Sequence, residues 1–387
     1  MAIPLKYNIG NLKSRKVSTL MTVLGIGLVI AVMVAMMALY NGVQEALVSS
    51  GSKDNLMVLR EGAQTESTSW VTRDKFRIIR SLPGIAKASD GEPLVSPELV
   101  IIFKLPRRDN PTGSNVNVRG VTAKALQIRP YIKMVDGSMF RPGTNEVIVS
   151  ERMRKRFVNT NIGDTFKFGP RTWTVVGVFD ANGTSFDSEI WTDVEYLGLA
   201  QKRPEFSSVL VKPESATAFK AISDTIATDT RLKLLTKTEH KYYEDQTSGL
   251  LGIKILVTIV TFFMVLGATL GAMNTMFSAV ASRKRELATM RALGFKRRDV
   301  LLSITVEAIV LGALAGVVGV ILALPVNGIA TGTANFVTFS EVAFNFRISP
   351  GVAMFAIGLA IVAGVVGGLL PAISAARLPI TRALREI

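Results

Sequence analysis

The sequence predicts an α-helical membrane protein: four transmembrane helices, with an α+β extracytoplasmic domain of two subdomains inserted between helices 1 and 2. Three observations predict it. Four windows, Val17–Gln44, Ile255–Ser282, Ala308–Ser340 and Ile348–Ala376, contain no Asp, Glu, Lys or Arg. Residues 45–249, between the first two windows, have an ordinary globular composition. Lysine and arginine concentrate beside the windows.

Each window exceeds the roughly 20 residues that a helix rising about 1.5 Å per residue needs to cross about 30 Å of hydrocarbon. The expected division is an N-terminal segment (1–16), a first span (17–44), an outer domain (45–249), a second span (250–282), a coupling segment (283–299), a third span (300–330), an outer link (331–347), a fourth span (348–376) and a tail (377–387). The first run follows Lys6, Lys13, Arg15 and Lys16 but is far longer than the about 7–15 apolar residues of a signal peptide, so an uncleaved anchor is expected. Ile3, Leu5, Ile9 and Leu12 suit either a short interfacial helix or a plain basic flank.

The formal charge of +15 is unevenly shared. Residues 45–249 carry 29 Lys and Arg against 25 Asp and Glu, whereas residues 1–16, 283–299 and 377–387 together carry 14 against 3. Basic residues are retained on the cytoplasmic side of short loops. Both termini and the 283–299 loop are therefore expected in the cytoplasm, and residues 45–249 with the later link outside, in a cytoplasmic (inner) membrane. Charge distributed along membrane borders forms no single basic patch, so nucleic acid is not an expected partner. The lipid bilayer is.

Within the outer domain, NLMVLR (55–60) and ELVIIFK (98–104) read as strands around a helix opened by Thr72, and SSVLVK (207–212) and LKLL (232–235) bracket a second helix at 216–227. These two pieces are expected to pair into one α+β subdomain. VNVRGV, EVIVS, DTFKFG and TWTVVGVF between them suggest a second, β-rich subdomain. Residues 239–249 read as a helical stalk into the second span, Arg107–Gly113 as an exposed loop, and Trp70, Trp173 and Trp191 as core or interface anchors.

Catalytic constellations are missing. The chain has one histidine, His240, and no cysteine, so it offers no disulfide, no metal-ligating His/Cys cluster and no Cys nucleophile. No G-x-x-x-x-G-K-[ST] phosphate loop occurs, and no pair of carboxylates stands out as an acid and base. A non-catalytic subunit with no cofactor or metal of its own is expected. Glu307 is the one acidic residue expected inside a span, about two turns in, and the reading gives it a basic partner from the 283–299 loop. Small residues four apart, Gly267 and Gly271, Gly312 and Gly316, Gly364 and Gly368, mark close helix packing, within the chain or against another subunit.

The segment ASRKRELATMRALGFKRRD (281–299) holds seven basic residues between two apolar runs. Leu287, Met290 and Leu293 recur three apart, and Gly294 sits where a helix would end. A loop that only fixes topology needs charge but no ordered stripe, so the stripe and Glu286 suggest a docking element. The segment resembles the signature of MacB/FtsX-like ABC transporter permeases, through Arg283, Glu286, Arg291, Ala292, Leu293 and Gly294. Residues 11–36 resemble the start of the family's first span. LPAISAARLPITRALREI (370–387) is similar to its terminal pattern through Pro371, Ala372, Ala375, Ala376, Pro379, Ala383, Leu384 and Arg385. Residues 137–157 and 162–180 look like its core-domain pattern.

The resemblance implies a permease of the mechanotransmission type. Its expected partners are a cytoplasmic ABC ATPase subunit dimer in separate chains, which binds ATP and Mg, a second permease copy (a homodimer or a similar heterodimer), and a periplasmic adaptor. The coupling helix would carry Arg283, Glu286, Leu287, Met290, Arg291 and Gly294 against the ATPase. ATP turnover would move the outer domain to export or extract a substrate. The alternative is an FtsX-like signal transmitter that activates an extracytoplasmic partner without moving cargo.

Overall fold

The structure, a computed structural model, describes residues 16–379. The expected interfacial helix at 2–16 and the terminal pattern beyond Pro379 therefore lie almost wholly outside the described residues. The first helix is α1 (Lys16–Val48). There follow β1 (Leu56–Arg60), α2 (Arg73–Arg80), β2 (Val95–Leu105), β3 (Ser114–Val121), α3 (Lys124–Ile128), β4 (Lys133–Gly137), β5 (Glu146–Ser150), α4 (Glu151–Arg156), β6 (Thr165–Phe168), β7 (Arg171–Asp180), β8 (Glu189–Asp193), α5 (Val194–Ala200), β9 (Ser208–Val211), α6 (Ala216–Thr228), β10 (Leu234–Thr238) and α7 (Glu239–Gln246). The chain continues through α8 (Leu251–Ala281), α9 (Lys284–Ala292), α10 (Arg297–Ala323), the strands β11 (Ala330–Ala334) and β12 (Glu341–Asn345), and α11 (Pro350–Ala376). Helices α1, α8, α10 and α11 are long and apolar enough to cross a membrane. The described residues divide into two compact units, one holding the chain up to Asn41, Gly252–Ile329 and the chain from Phe346, the other Gly42–Leu251 with Ala330–Asn345.

The membrane unit is held by close backbone approach. A Cβ on Gly312 would stand 2.6 Å from the Ala360 carbonyl oxygen, and one on Gly364 would stand 2.7 Å from that of Ala308. Gly316 meets the Ile357 Cα and Gly368 the Ala308 Cβ, so two of the three predicted pairs zip α10 to α11 within one chain. Gly367 against the Thr269 carbonyl, and Gly319 against Gly27 and Ile30, extend the contact to α8 and α1. These three glycines were not singled out in the sequence, because they fall outside the spacing of four. By contrast, a Cβ on Gly267 or Gly271 would meet nothing within 4 Å. Their helix α8 exposes Ile255, Leu256, Ile259, Phe262, Phe263, Leu266 and Leu270.

The first helix runs four residues past the expected 44 and the fourth begins two after the expected 348, and both bounds of the third span shift. The third span starts at Arg297, three residues before the predicted 300, because the Asp299 carboxylate accepts the Lys296 backbone N–H at 2.8 Å and closes the first turn there. It ends at Ala323, since Pro325 in the ensuing 3-10 turn has no N–H to continue the ladder, and residue 330 already begins a strand. The predicted outer link, 331–347, is largely a β-hairpin, with Ala330 paired to Asn345 and Ala334 to Glu341. Val342, Ala343 and Phe344 are buried, and the Ala343 N–H donates to Ser188 Oγ at 2.6 Å.

In the outer unit, ten strands form one sheet in the order β10-β1-β9-β2-β3-β8-β5-β7-β4, with β6 added on β7. The two expected subdomains have their own cores on one face of a shared sheet, while a third core on the other face, with Met57, Leu59, Leu210, Ile148 and Trp191, spans both halves. Leu56, Val58, Ile79, Val209, Ile222 and Ile226 fill the first beneath α2 and α6. Trp173, Phe157, Val147 and Val118 belong to the second. The eleven-residue strand β2 joins the halves: Val95–Glu98 pair with β9 and Leu99–Leu105 with β3. Trp173 and Trp191 are fully buried, while Trp70 is half-exposed under the Arg60 guanidinium, 3.8 Å from its ring.

Leucine at Gly364 would drive a side chain into the Ala308 carbonyl. The purified Gly364→Leu chain is expected to unfold at a lower temperature, through an overpacking cost of about 1–3 kcal/mol or more. Gly358→Leu, on the same helix but facing open space, is the control. Equal midpoints by circular dichroism would contradict this packing.

Candidate functional site

The segment between α8 and α10 forms the short helix α9 and a tight turn. Gly294 closes the helix at φ +100°, a left-handed conformation that a residue without Cβ adopts freely, and the Phe295 N–H donates back to the Met290 carbonyl at 3.3 Å. Of the predicted coupling residues, Arg283, Leu287, Met290 and Arg291 are used inside the chain. Arg283 Nη1 pairs with Glu307 Oε2 at 3.0 Å, and both side chains are more than nine-tenths buried. This is the basic partner expected for Glu307 from the 283–299 segment. Glu307 lies ten residues along α10, deeper than two turns, because the helix starts earlier. Arg283 Nε also faces Glu286 at 3.4 Å.

Leu287 is buried and Met290 packs against the membrane core with Val300 and Ile304. Arg291 Nη1 donates to the Ala376 and Leu378 carbonyls, each at 3.1 Å, and so satisfies acceptors left open at the end of α11. The apolar stripe therefore divides. Leu287 and Met290 face their own chain, whereas Leu293 is 74% exposed beside Lys296, Arg297 and Arg298. Helical periodicity identified a face but could not say what covers it.

The outer unit holds a second constellation, which sequence reading missed. Six buried charged residues, Glu66, Glu98, Arg119, Arg129, Glu189 and Glu239, converge from the 3-10 turn Glu66–Thr68, β2, β3, the end of α3, β8 and α7. Arg119 reaches three carboxylates: Glu189 Oε2 from Nε at 2.7 Å, and Glu66 Oε1 and Glu98 Oε2 from Nη1, each at 2.7 Å. Arg129 takes Glu98 Oε1 at 2.6 Å and Glu239 Oε1 at 2.7 Å. The other Glu239 oxygen accepts from the Ser52 backbone N–H at 3.1 Å and from Asn55 Nδ2 at 2.8 Å. Trp191 Nε1 donates to Glu189, Ser208 Oγ to Glu66, and the Phe186 ring lies 4.7 Å from the Arg129 guanidinium carbon. The network thus ties the residues just after α1 and the first residue of α7 to the sheet between them.

Four carboxylates against two guanidiniums leave an excess of negative charge away from water. Burial pushes the Glu66 carboxyl above its ordinary range despite Arg119. For Glu98 burial pushes the same way, but Arg129 and Arg119 together outweigh it and hold that carboxyl below the ordinary value. Each carboxylate is committed to a guanidinium, an arrangement that fastens structure and offers no acid or base to a substrate. His240 is half-buried, its backbone N–H bonded to Ser52. Among the described residues no group of three or more His, Cys, Asp or Glu side chains is placed to hold a metal ion.

Comparison with known proteins points one way. The family profile of the MacB-like periplasmic core domain matches residues 19–229, and that of the FtsX-like permease C-terminal region matches residues 258–380. The chain is 23% identical to a macrolide export ATP-binding/permease protein MacB of Hahella chejuensis, over 96% of this chain and 58% of that protein. It is 24% identical to a pyoverdine export ATP-binding/permease protein PvdT of Pseudomonas entomophila, over 95% and 57%. It spans less than two thirds of the length of these relatives. The periplasmic region of MacB from Actinobacillus actinomycetemcomitans is also similar, at 13% identity and a TM-score of 0.39, over 50% of this chain and 92% of that structure.

Glu98 is the carboxylate shared by both arginines. Glu98→Gln is expected to cost about 3–5 kcal/mol, the usual penalty for breaking a buried pair, and Glu66→Gln distinctly less. The intrinsic fluorescence of the three tryptophans, all in the outer unit, during thermal unfolding in detergent reads the difference. The depressed Glu98 pKa adds a sign: its contribution is present above the ordinary carboxylate range and is lost as pH falls through the lowered folded value. The acid limb of wild-type stability should therefore flatten in Glu98→Gln.

Proposed function

Because the chain belongs to the MacB/FtsX-like ABC transporter permeases, we propose that it couples ATP turnover in a separate cytoplasmic ATPase to motion of its extracytoplasmic domain, for export or extraction of a substrate. In this reading both termini and α9 face the cytoplasm, a placement supported by the concentration of lysine and arginine there. ATP and Mg belong to the ATPase. Export is the activity in the names of the relatives, and the substrate class is taken from them only as far as that word.

The observation that carries the proposal is the construction of α9. Arg283 fixes it to α10 through Glu307, and Arg291 fixes it to the end of α11, while Glu286, Thr289 and Leu293 point outward. A push on the outward face is delivered to two spans through paired charges and backbone carbonyls. The docking surface is accordingly Glu286 and Leu293 in a basic surround, and Arg283, Leu287, Met290 and Arg291 act by holding the lever rigid.

A second copy of the permease completes the assembly. The open face of α8 at Gly267 and Gly271 is the proposed contact, since small residues let helices approach where lipid supplies no hydrophobic drive.

Three measurements test these roles. Leu293→Asp, at the exposed end of the stripe, should abolish copurification of the co-expressed ATPase while leaving the thermal midpoint unchanged; retained copurification would refute docking at this face. Arg291→Ala should lower the midpoint instead. The chain has no cysteine, so Gly271→Cys reports proximity cleanly. Oxidation in membranes should give a crosslinked dimer, and a purely monomeric product would place the subunit contact elsewhere.

A further inference from the structure

The loop read from sequence as exposed, Arg107–Gly113, is folded against the end of α4. Its Arg108 N–H donates to the Arg156 carbonyl at 2.9 Å, and the Val158 N–H donates to the Pro106 carbonyl at 3.1 Å. This pairing sets Arg107 and Arg108 beside the basic turn of α4. The result is a pocket of about 330 Å³ lined by Arg107, Arg108, Arg152, Lys155 and Arg156, with Asp109 the one lining carboxylate and the β11 backbone at Ala330 and Thr331 as the far wall. That volume is at the lower end of the roughly 300–1,000 Å³ usual for small-ligand sites.

The floor is built and the rim is open. Glu341, nearly fully buried, is shared by Arg156 and by Arg107, the latter at 3.4 Å, and Arg107 also holds Asp109 through Nε at 2.8 Å and Nη2 at 2.6 Å, so both guanidiniums of the floor are already paired. Gly332 makes room for this floor: a Cβ there would stand 2.5 Å from both Arg156 Nη2 and Glu341 Oε1. Arg152 spends Nε on Asp187 at 3.1 Å, and its Nη1 is buried without a hydrogen-bond partner. Arg108 Nη2 reaches only a carbonyl, that of Arg154, at 3.4 Å. Lys155 makes an exposed pair with Glu151, of the kind that exchanges readily with water.

We propose that this pocket is a binding site for a phosphate ester, gripped by Arg108, Arg152 and Lys155 above the floor of Arg107 and Arg156. Guanidinium forks match the oxygens of a phosphate two at a time, and a dianion supplies the several acceptors that these donors need. Burial, with the nearby charge of Arg107, lowers the Arg156 pKa even though Glu341 opposes the shift, as expected where cations crowd together. The site owes nothing to α9 or to an ATPase. The same chemistry is offered by a soluble phosphate ester and by a phospholipid headgroup, and the test separates them.

The full chain, purified in a non-ionic detergent without phosphate, is titrated calorimetrically with inorganic phosphate, with glycerol 3-phosphate and with dihexanoylphosphatidic acid, each of which offers a phosphate dianion. Wild type should bind at least one of them saturably, more weakly as salt rises. Arg108→Ser with Lys155→Ser should weaken that binding about ten-fold or more, the loss of one or two charge-assisted hydrogen bonds. Both side chains being largely exposed at their heads, the thermal midpoint should hold. Thr331→Asp, which adds a carboxylate to the far wall, gives an independent second variant and should weaken binding likewise. Binding of the soluble ligands identifies a soluble ester, and binding of the lipid alone identifies a headgroup. Either result supports the site. No saturable binding by any of the three, or variants that bind as wild type does, would overturn it.

Discussion

A charge taken out of water must bring its counterion with it, and both units of this protein are organised around that requirement. In the membrane unit Glu307 is tolerable on a spanning helix because Arg283 meets it at 3.0 Å. In the outer unit two arginines and four glutamates converge from six separate elements. Removing one partner from such a set leaves an uncompensated charge, so the elements that carry them are committed to one arrangement.

The commitment falls at mechanically useful places. Ser52 and Asn55 follow α1 directly, and Glu239 opens α7, so the network holds the first and last parts of the sheet domain's main segment on one set of carboxylates. In the membrane unit α9 is fixed at both ends, by an ion pair near its start and by capped carbonyls near its finish. Rigidity at these joints fits the proposed transmission of force, because a soft joint would absorb displacement instead of passing it on.

Much of the architecture was legible because its physics is local. A run of more than twenty residues without a charge has few options other than a membrane span, and alternating strands such as VNVRGV declare their period. The features that were not legible depend on distant partners. Glu98 and Arg119 interrupt hydrophobic strands, the one visible hint of the network, but nothing local shows that Glu239 belongs with them. The hairpin at 330–345 was read as a link because ATGTA has little strand character alone and is stabilised by pairing with EVAFN. Pro97 disguised the first half of β2, since proline seldom sits inside a paired strand, and the continuity of the sheet was hidden with it. Leu287 and Leu293 share a helical stripe yet meet different surroundings, an outcome set by the neighbouring helices.

The contact between α10 and α11 limits what those helices do. At Gly312, Gly316 and Gly364 main chain lies on main chain, and at Gly368 it lies on the Cβ of Ala308, with no intervening layer of flexible side chains to serve as a bearing. Rolling or sliding of one past the other would collide carbonyl with Cα at the first step. The two behave as a single plank, and any torque taken up by either one tilts both.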